Sequence, residues 1–153
     1  MLDKVKKHLE FLAAGDWKEY RAALADNAIY EEVPTRQRVE GADQYVSLIQ
    51  RWKKAFPDLR ATVLGGIEAG DTAMVELEWE GTHRGSLEAP FGTIAATNKA
   101  GRIRGVLVVK FQNDKMIESR HYFDLYSLMS QLGIAPGLGA VPQARPVEAP
   151  KHT

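Results

Sequence analysis

The chain has 153 residues, a formal net charge of zero and no cysteine. This length fits a single domain. A neutral chain gives no electrostatic reason to expect nucleic acid as a partner. The absence of cysteine excludes disulfides, thiolate catalysis and zinc–thiolate sites. The first seven residues are charged and amphipathic, and no apolar run reaches the length of a membrane span, so we expect a cytoplasmic protein without a membrane partner.

The N-terminal part of the chain predicts two helices and a strand. Apolar residues at helical spacing up to Leu12 predict a first helix that ends at Gly15. Asp16 and Glu19 have the spacing of a capping box, which indicates the start of a second helix. Residues 27–33 have the composition of a short strand. A helical hairpin followed by a strand is therefore expected here.

The next part changes its hydrophobic period. Apolar residues from Tyr45 to Phe56 recur at i, i+3, i+4, i+7 and i+11 and predict a third helix, which Pro57 ends. After Pro57 the period becomes 2, as in strands. We predict strands over 59–67, 72–82, 102–111 and 116–124, with a long loop over 81–101 and a short helix over 125–132.

This order of elements predicts an α+β fold. Consecutive strands joined by turns form a mostly antiparallel meander, and the three N-terminal helices cover one of its faces. A strongly curved sheet closed by helices forms a cone with a hollow. We expect this domain over residues 1–133 and a mobile Pro/Gly-rich tail over 134–153.

Asp124 is the first candidate for chemistry, because it ends the last predicted strand and precedes a predicted helix. In an apolar hollow its carboxyl group would have a raised pKa, which suits proton transfer near neutral pH. Asp is also a favoured helix N-cap, and capping lowers the pKa of a carboxyl group. The two roles are therefore hard to combine, and the position of Asp124 leaves both open.

Two histidines and one arginine are further candidates. Strand alternation places His121 on the opposite face from Asp124, unless a β-bulge intervenes, so His121 is either a packed residue or a catalyst. His83 lies at the start of the long loop and is either solvated or functional. The spacing of His83, His121 and Asp124 fits no usual metal motif, so no metal is expected. Arg104 could pair with Asp124 or Glu118 if its face of the strand is the hollow.

The predicted sheet and helices carry many aromatic residues. Most aromatic side chains are simple core residues, yet this many around one curved sheet also suit a flat apolar ligand. The candidate substrate contacts, besides Arg104, are Tyr30, Trp52, Phe56, Trp79, Phe91 and Tyr122.

Five segments occur in an order that resembles the SnoaL-like polyketide cyclase (ester cyclase) family of the nuclear-transport-factor-2-like superfamily. They are residues 52–59, 70–72, 79–85, 90–99 and 122–133. The resemblance spans about residues 2–133. It implies a cone-shaped, cystatin-like fold, a homodimer, and catalysis without a metal or an organic cofactor.

The resemblance also implies a reaction. In this family an aspartate at the end of the last strand is the acid/base for an intramolecular aldol ring closure, and that position corresponds to Asp124. His83 and His121 are the matching candidates for holding the substrate carbonyl. The implied ligand is a small, apolar, aromatic or polyketide-like carbonyl compound.

Two other functions stay open. The first is a hydrolase or isomerase on the same fold, although the Asp-Arg-Asp set of the superfamily's epoxide hydrolases is missing, since Arg104 is followed two residues later by Val106. The second is a non-catalytic dimeric module that binds small ligands. That module would have Asp124 solvated or capping a helix, and a hollow filled by side chains.

Overall fold

The structure is a computed structural model that describes residues 1–134, and the described part contains the predicted curved sheet with helices on its inner face. Its elements are α1 (Leu2–Ala14), α2 (Trp17–Ala22), β1 (Leu24–Glu32), β2 (Gln37–Glu40), α3 (Ala42–Ala55), β3 (Arg60–Ala69), β4 (Thr72–Thr82), β5 (Leu87–Ala89), β6 (Gly92–Ile94), β7 (Ala100–Gln112), β8 (Lys115–Phe123) and α4 (Leu125–Gln131). The α+β fold class is confirmed. The predicted tail lies outside the described residues, apart from residue 134. No helix within residues 1–134 is long and apolar enough to span a membrane.

The main sheet has the strand order β2-β1-β8-β7-β4-β3. Strands β3, β4, β7 and β8 pair antiparallel in sequence order, which confirms the predicted meander. Strand β1 lies parallel to β8 on the other side and begins earlier than predicted, because Leu24 already pairs with Met116. Strands β2, β5 and β6 were not predicted, since elements of three or four residues are too short for a pattern of alternation.

Helix α1 ends and helix α2 begins where the sequence predicts a cap. Gly15 ends α1 in the left-handed conformation (φ 69°), which glycine adopts without a steric penalty. The Asp16 carboxylate accepts a hydrogen bond of 3.2 Å from the backbone N–H of Glu19 at the start of α2. These caps set the turn between α1 and α2.

Alternation along the strands separates a buried inner face from a charged outer face. On β4 the inner residues Ala73, Val75 and Leu77 are almost fully buried. They pack with apolar residues of α1 and α3, such as Val5 and Leu48, in one hydrophobic core. A second, smaller core around α4 occupies the other end of the sheet. The helices thus cover the inner face and leave a hollow between the two cores.

Candidate active site

An internal cavity of about 80 Å³ lies between the helices and the inner face of the sheet. A single water needs only about 10–15 Å³ of such space, so the cavity is large enough for a ligand group. Its walls are mainly apolar and aromatic. Representative wall residues are Leu9, Leu12, Ile49, Phe56, Leu107 and Phe123. Apolar and aromatic walls with a few converging polar groups are typical of a small-molecule site.

The buried carboxylate in this cavity belongs to Glu32, the last residue of β1, whose exposed fraction is 0%. Its Oε2 accepts hydrogen bonds from Trp52 Nε1 (2.9 Å) and Tyr30 Oη (3.1 Å). Its Oε1 accepts hydrogen bonds from Thr35 Oγ1 (2.6 Å) and Gln37 Nε2 (3.4 Å). Because a buried charge is costly unless it is hydrogen-bonded, these four donors are what allow a carboxylate to exist here.

The acidity of Glu32 reflects a competition between burial and hydrogen bonding. Burial has the largest effect and raises its pKa above the ordinary value for glutamate. The hydrogen bonds from Thr35, Trp52 and Tyr30, and the charge of Arg51, oppose that rise. A carboxyl group with a pKa shifted toward neutrality gives and takes protons more readily near neutral pH.

A directed chain of hydrogen bonds leads to Glu32 from the opposite wall. Trp79 Nε1 donates to His121 Nε2 over 3.0 Å. Burial lowers the pKa of His121 to about 3, so its ring is neutral and carries its proton on Nδ1, since an indole N–H only donates. His121 Nδ1 therefore donates to Tyr30 Oη (2.9 Å), and the Tyr30 hydroxyl donates to Glu32.

Asp124 does not line the cavity. It is exposed and forms the N-cap of α4. Its carboxylate accepts hydrogen bonds from the backbone N–H (3.0 Å) and the hydroxyl (2.6 Å) of Ser127, which lower its pKa. The capping alternative of the sequence analysis is the one observed. A catalytic role for Asp124 remains a prediction without a cavity contact.

His83 is buried, but it lies outside the cavity wall. Its Nδ1 accepts a hydrogen bond from the backbone N–H of Thr97 (3.2 Å), and its ring stacks on Phe56 with centroids 5.2 Å apart. Burial lowers its pKa. His83 is therefore not solvated. Its hydrogen bond to Thr97 connects the loop before β7 to the end of β4. Within residues 1–134, no three or more histidine and carboxylate side chains form a group that could hold a metal ion.

Three of the predicted substrate contacts lie away from the cavity. Arg104 is on the outer face of the sheet and pairs with Glu76 (3.4 Å) and Glu78 (3.5 Å), not with the carboxylates at 118 or 124. Tyr122 is 44% exposed on the same outer face, and Phe91 is 59% exposed between β5 and β6. The other four predicted contacts line the cavity: Tyr30, Trp52, Phe56 and Trp79.

The predicted facing of the last strand is correct, whereas Glu32 was missed. His121 is buried on the inner face, and its neighbour Tyr122 points outward. On β1, Ala28, Tyr30 and Glu32 are all buried and share one face. An acidic residue in phase with an apolar face is the signal that could have identified Glu32.

Comparison with known proteins gives one family for this chain. The family model described as SnoaL-like polyketide cyclase matches residues 3–132. No curated protein matches the sequence.

Solved structures share the fold at low sequence identity. One is a proposed SnoaL-like polyketide cyclase from Jannaschia sp. CCS1, with 18% identity, 88% of this chain and 92% of that chain covered, and a TM-score of 0.77. Another is IdmH, a proposed polyketide cyclase from Streptomyces antibioticus, with 19% identity, coverage of 86% and 96%, and a TM-score of 0.72. A third is an epoxide hydrolase of the LEH-like type from M. tuberculosis, with 19% identity, coverage of 85% and 86%, and a TM-score of 0.66. At this identity the likeness establishes the nuclear-transport-factor-2-like fold alone.

Proposed function

Because this chain belongs to the SnoaL-like polyketide cyclase family, we propose that it is a cofactor-free acid/base enzyme that closes a ring in an apolar, polycyclic carbonyl compound by an intramolecular aldol reaction. One observation carries the proposal. The buried carboxylate of Glu32 lies in a cavity lined by aromatic and aliphatic side chains. The aromatic walls favour a flat ligand, and the buried carboxylate supplies a base.

In the proposed step, Glu32 removes a proton from the carbon next to a substrate carbonyl. The resulting enolate carbon forms a bond to a second carbonyl carbon of the same molecule. The proton held on Glu32 then passes to the new alkoxide, so the base is regenerated without a co-reactant. Trp52 and Tyr30 donate to Glu32 in the free protein, and the proposal assigns them as the donors that stabilise the developing oxyanion.

Glu32 is preferred over Asp124 as the base because of where each carboxylate lies. Glu32 is in the cavity, and burial raises its pKa. Asp124 is at the surface, and its two hydrogen bonds to Ser127 lower its pKa. A base in water with a depressed pKa is poorly suited to remove a carbon-bound proton. His121 acts through Tyr30 in this proposal, and His83 has no contact with the reacting groups.

The test compares two matched substitutions, Glu32→Gln and Asp124→Asn, in the cyclisation of an anthraquinone-type polyketide methyl ester. Positioned proton transfer contributes about 10²–10⁴-fold, so Glu32→Gln should lower the rate by that factor. Asp124→Asn should leave the rate within a few-fold. Loss of activity in Asp124→Asn alone, with both variants folded by circular dichroism, would return the base assignment to Asp124.

A second candidate function is ligand binding without catalysis, and one observation favours it. The polar groups of Glu32, Tyr30, His121 and Trp79 already satisfy one another in the free protein. Incubation with the same ester in D₂O separates the two functions. An enzyme should exchange the hydrogen next to the carbonyl of the ester for deuterium, and Glu32→Gln should slow this exchange. A binding module should bind the ester without this exchange.

We also propose a homodimer formed through the outer face of the sheet. Ile67, Met74 and Tyr122 are exposed on strands that present this face, beside alternating arginine and glutamate side chains. Such a face buries apolar area and pairs charges when it meets a second copy. Light scattering after size-exclusion chromatography should give a dimer mass, and Ile67→Lys should give a monomer.

The cytoplasmic location stays a prediction that cell fractionation checks.

A further inference from the structure

The two carboxylate oxygens of Glu32 have different surroundings. Oε2 accepts hydrogen bonds from Trp52 and Tyr30, which both line the cavity. Oε1 accepts hydrogen bonds from Thr35 and Gln37, and neither of these residues lines the cavity. One oxygen therefore bonds to the walls of the proposed substrate site, and the other bonds to side chains outside it.

A second, smaller void of about 10 Å³ lies on the side of Oε1. We call it the port and define it by Thr35, Gln37, Arg51, Trp52, Ala89 and Phe91. Its volume is at the lower limit for one water molecule. Among the described residues only Trp52 lines both the port and the cavity, so the Trp52 side chain lies between the two spaces.

The port has an exposed rim and a buried inner end. Arg51 and Phe91 are exposed on the rim, and Gln37 is half-buried. Thr35 is buried at the inner end, with an exposed fraction of 7%. Glu32 does not itself line the port, so Thr35 lies between the carboxylate and a water in the port.

The Thr35 hydroxyl has the bonding capacity of a proton relay. Its Oγ1 lies 2.6 Å from Glu32 Oε1, a short distance typical of a hydroxyl bonded to a carboxylate. Gln37 Nε2 donates to the same Oγ1 over 3.1 Å. A hydroxyl has one donor and two acceptor positions, so Oγ1 can accept from Gln37 and from a protonated Glu32 while its own hydrogen bonds to a water. The Gln37 amide nitrogen only donates, so it cannot pass a proton on.

We propose that Thr35 is the relay through which Glu32 exchanges its proton with solvent while a ligand occupies the cavity. Protonated Glu32 gives its proton from Oε1 to Thr35 Oγ1, and Thr35 gives its own hydroxyl proton to the water in the port. Glu32 is left as a carboxylate, and the extra proton leaves with water. The reverse sequence brings a solvent proton to Glu32. The inference rests on the proposed function in taking Glu32 as the base, and it adds a route that regenerates this base without opening the cavity.

Deuterium exchange into unreacted substrate tests the relay. The anthraquinone-type methyl ester is partly converted in D₂O, and mass spectrometry gives the ratio of deuterium exchange in the remaining ester to turnover. In the wild type, solvent deuterium replaces the proton on Glu32 before the enolate is protonated again, so the remaining ester gains deuterium. In Thr35→Val the original proton stays on Glu32 and returns to the carbon, so the ratio should fall about tenfold or more. Thr35→Ser should restore the ratio, since it keeps the hydroxyl.

Two further variants separate the relay from the effect of Thr35 on the pKa of Glu32. Tyr30→Phe is the matched control, because it also removes one donor from Glu32, but from Oε2 on the cavity side. It should change turnover and leave the ratio of exchange to turnover unchanged. Ala89→Leu fills the port and keeps every side-chain donor of Glu32. It should lower the ratio as Thr35→Val does, but leave the acidic limb of the kcat/KM profile in place.

An infrared measurement tests the relay without a substrate. The C=O stretch of protonated Glu32, identified by its loss in Glu32→Gln, moves to lower frequency when deuterium replaces the proton. The neutral aromatic N-phenyl-1-naphthylamine fills the cavity, and the protein is mixed with D₂O. The band should shift within the mixing time in the wild type and more slowly in Thr35→Val.

The outcomes distinguish the relay from the catalytic proposal. Glu32-dependent turnover with an unchanged exchange ratio in folded Thr35→Val overturns the relay alone. An equal fall of the ratio in Tyr30→Phe and Thr35→Val, or equal infrared rates in Thr35→Val and the wild type, also overturns it. Absence of turnover together with a slower infrared shift in Thr35→Val supports the relay and overturns the proposed function. Thermal melts confirm that each variant is folded.

Discussion

The indole N–H of Trp79 donates to Nε2 of His121 over 3.0 Å, and this one bond sets the direction of the whole hydrogen-bond chain that ends on Glu32. An indole cannot accept, so the neutral imidazole must carry its proton on Nδ1. Tyr30 Oη accepts a hydrogen bond from this N–H. The hydroxyl hydrogen of Tyr30 therefore points toward the Glu32 carboxylate. A residue on β4 therefore orients a donor on β1 through a histidine on β8.

Trp79→Phe should release this constraint while keeping an aromatic ring in the wall. Without the indole donor, His121 is free to adopt either tautomer, and the Tyr30 hydroxyl no longer has a fixed direction. We expect turnover to fall about tenfold, since loss of one net hydrogen bond of about 1.5 kcal/mol corresponds to that factor. Nitrogen-15 NMR of the imidazole should report the Nδ1–H tautomer in the wild type and a mixture in the variant. A wild-type ring protonated on Nε2 would contradict the chain.

His121 should also make the stability of the fold depend on pH. Its pKa is lowered from 6.5 to about 3 in the folded protein, so the unfolded chain binds a proton that the folded chain does not. The resulting loss of stability begins as the pH falls below about 6.5 and continues toward 3, at up to about 1.4 kcal/mol per pH unit. Urea unfolding at pH 7, 6 and 5 measures the free energy of unfolding at each pH. The slope of this free energy against pH should be smaller in His121→Asn than in the wild type.

A second buried histidine provides the control for that measurement. His8 bonds to the backbone carbonyl of Tyr20 (3.0 Å), and burial lowers its pKa to about 4. His8→Asn should therefore also reduce the slope, although it lies away from the Glu32 chain. If His121→Asn leaves the slope unchanged while His8→Asn reduces it, His121 is not held neutral in the fold.

The sequence predicted the framework of this site better than its base. Alternation along β8 predicted His121 and Asp124 on opposite faces; the structure buries His121 on the inner face, whereas Asp124 lies beyond the strand as the N-cap of α4. Position in the chain could not decide whether Asp124 caps a helix or enters the hollow, because an aspartate between a strand and a helix fits either role. Glu32 was missed although Tyr30, Thr35 and Gln37 are close to it in sequence, because nothing in the local pattern shows that Trp52, 20 residues away, completes its set of donors.

Asp124 offers a prediction that separates capping from catalysis. Asp124→Ala removes the acceptor for the backbone N–H of Ser127 and should cost about 1 kcal/mol of unfolding free energy. Asp124→Asn should restore most of that stability, because asparagine is a comparable N-cap. Chemical denaturation measures both values. Activity should remain within a few-fold in both variants once the assay temperature is below their unfolding transitions.

The depressed pKa of Asp124 gives the same prediction a pH signature. Its folded-state pKa is below its unfolded value, so its contribution is present above the ordinary aspartate pKa and is lost as the pH falls through the folded value. The stability gap between the wild type and Asp124→Ala should therefore be constant near neutral pH and shrink in acid. A gap that grows in acid would be incompatible with the cap.

Thr35 lowers the pKa of the proposed base, Glu32. Its hydroxyl donates to Glu32 Oε1 over 2.6 Å and is the largest of the hydrogen-bond effects that oppose the rise in the pKa of Glu32. Thr35→Val keeps the shape and removes the donor, so the pKa of Glu32 should rise further. Because a general base acts in its ionised form, the acidic limb of the kcat/KM profile should move to higher pH. Thr35→Ser should restore the wild-type limb, since it keeps the hydroxyl. An unchanged limb in Thr35→Val, with the protein folded, would mean that a group other than Glu32 sets the acidic limb, and the assignment of the base would have to move.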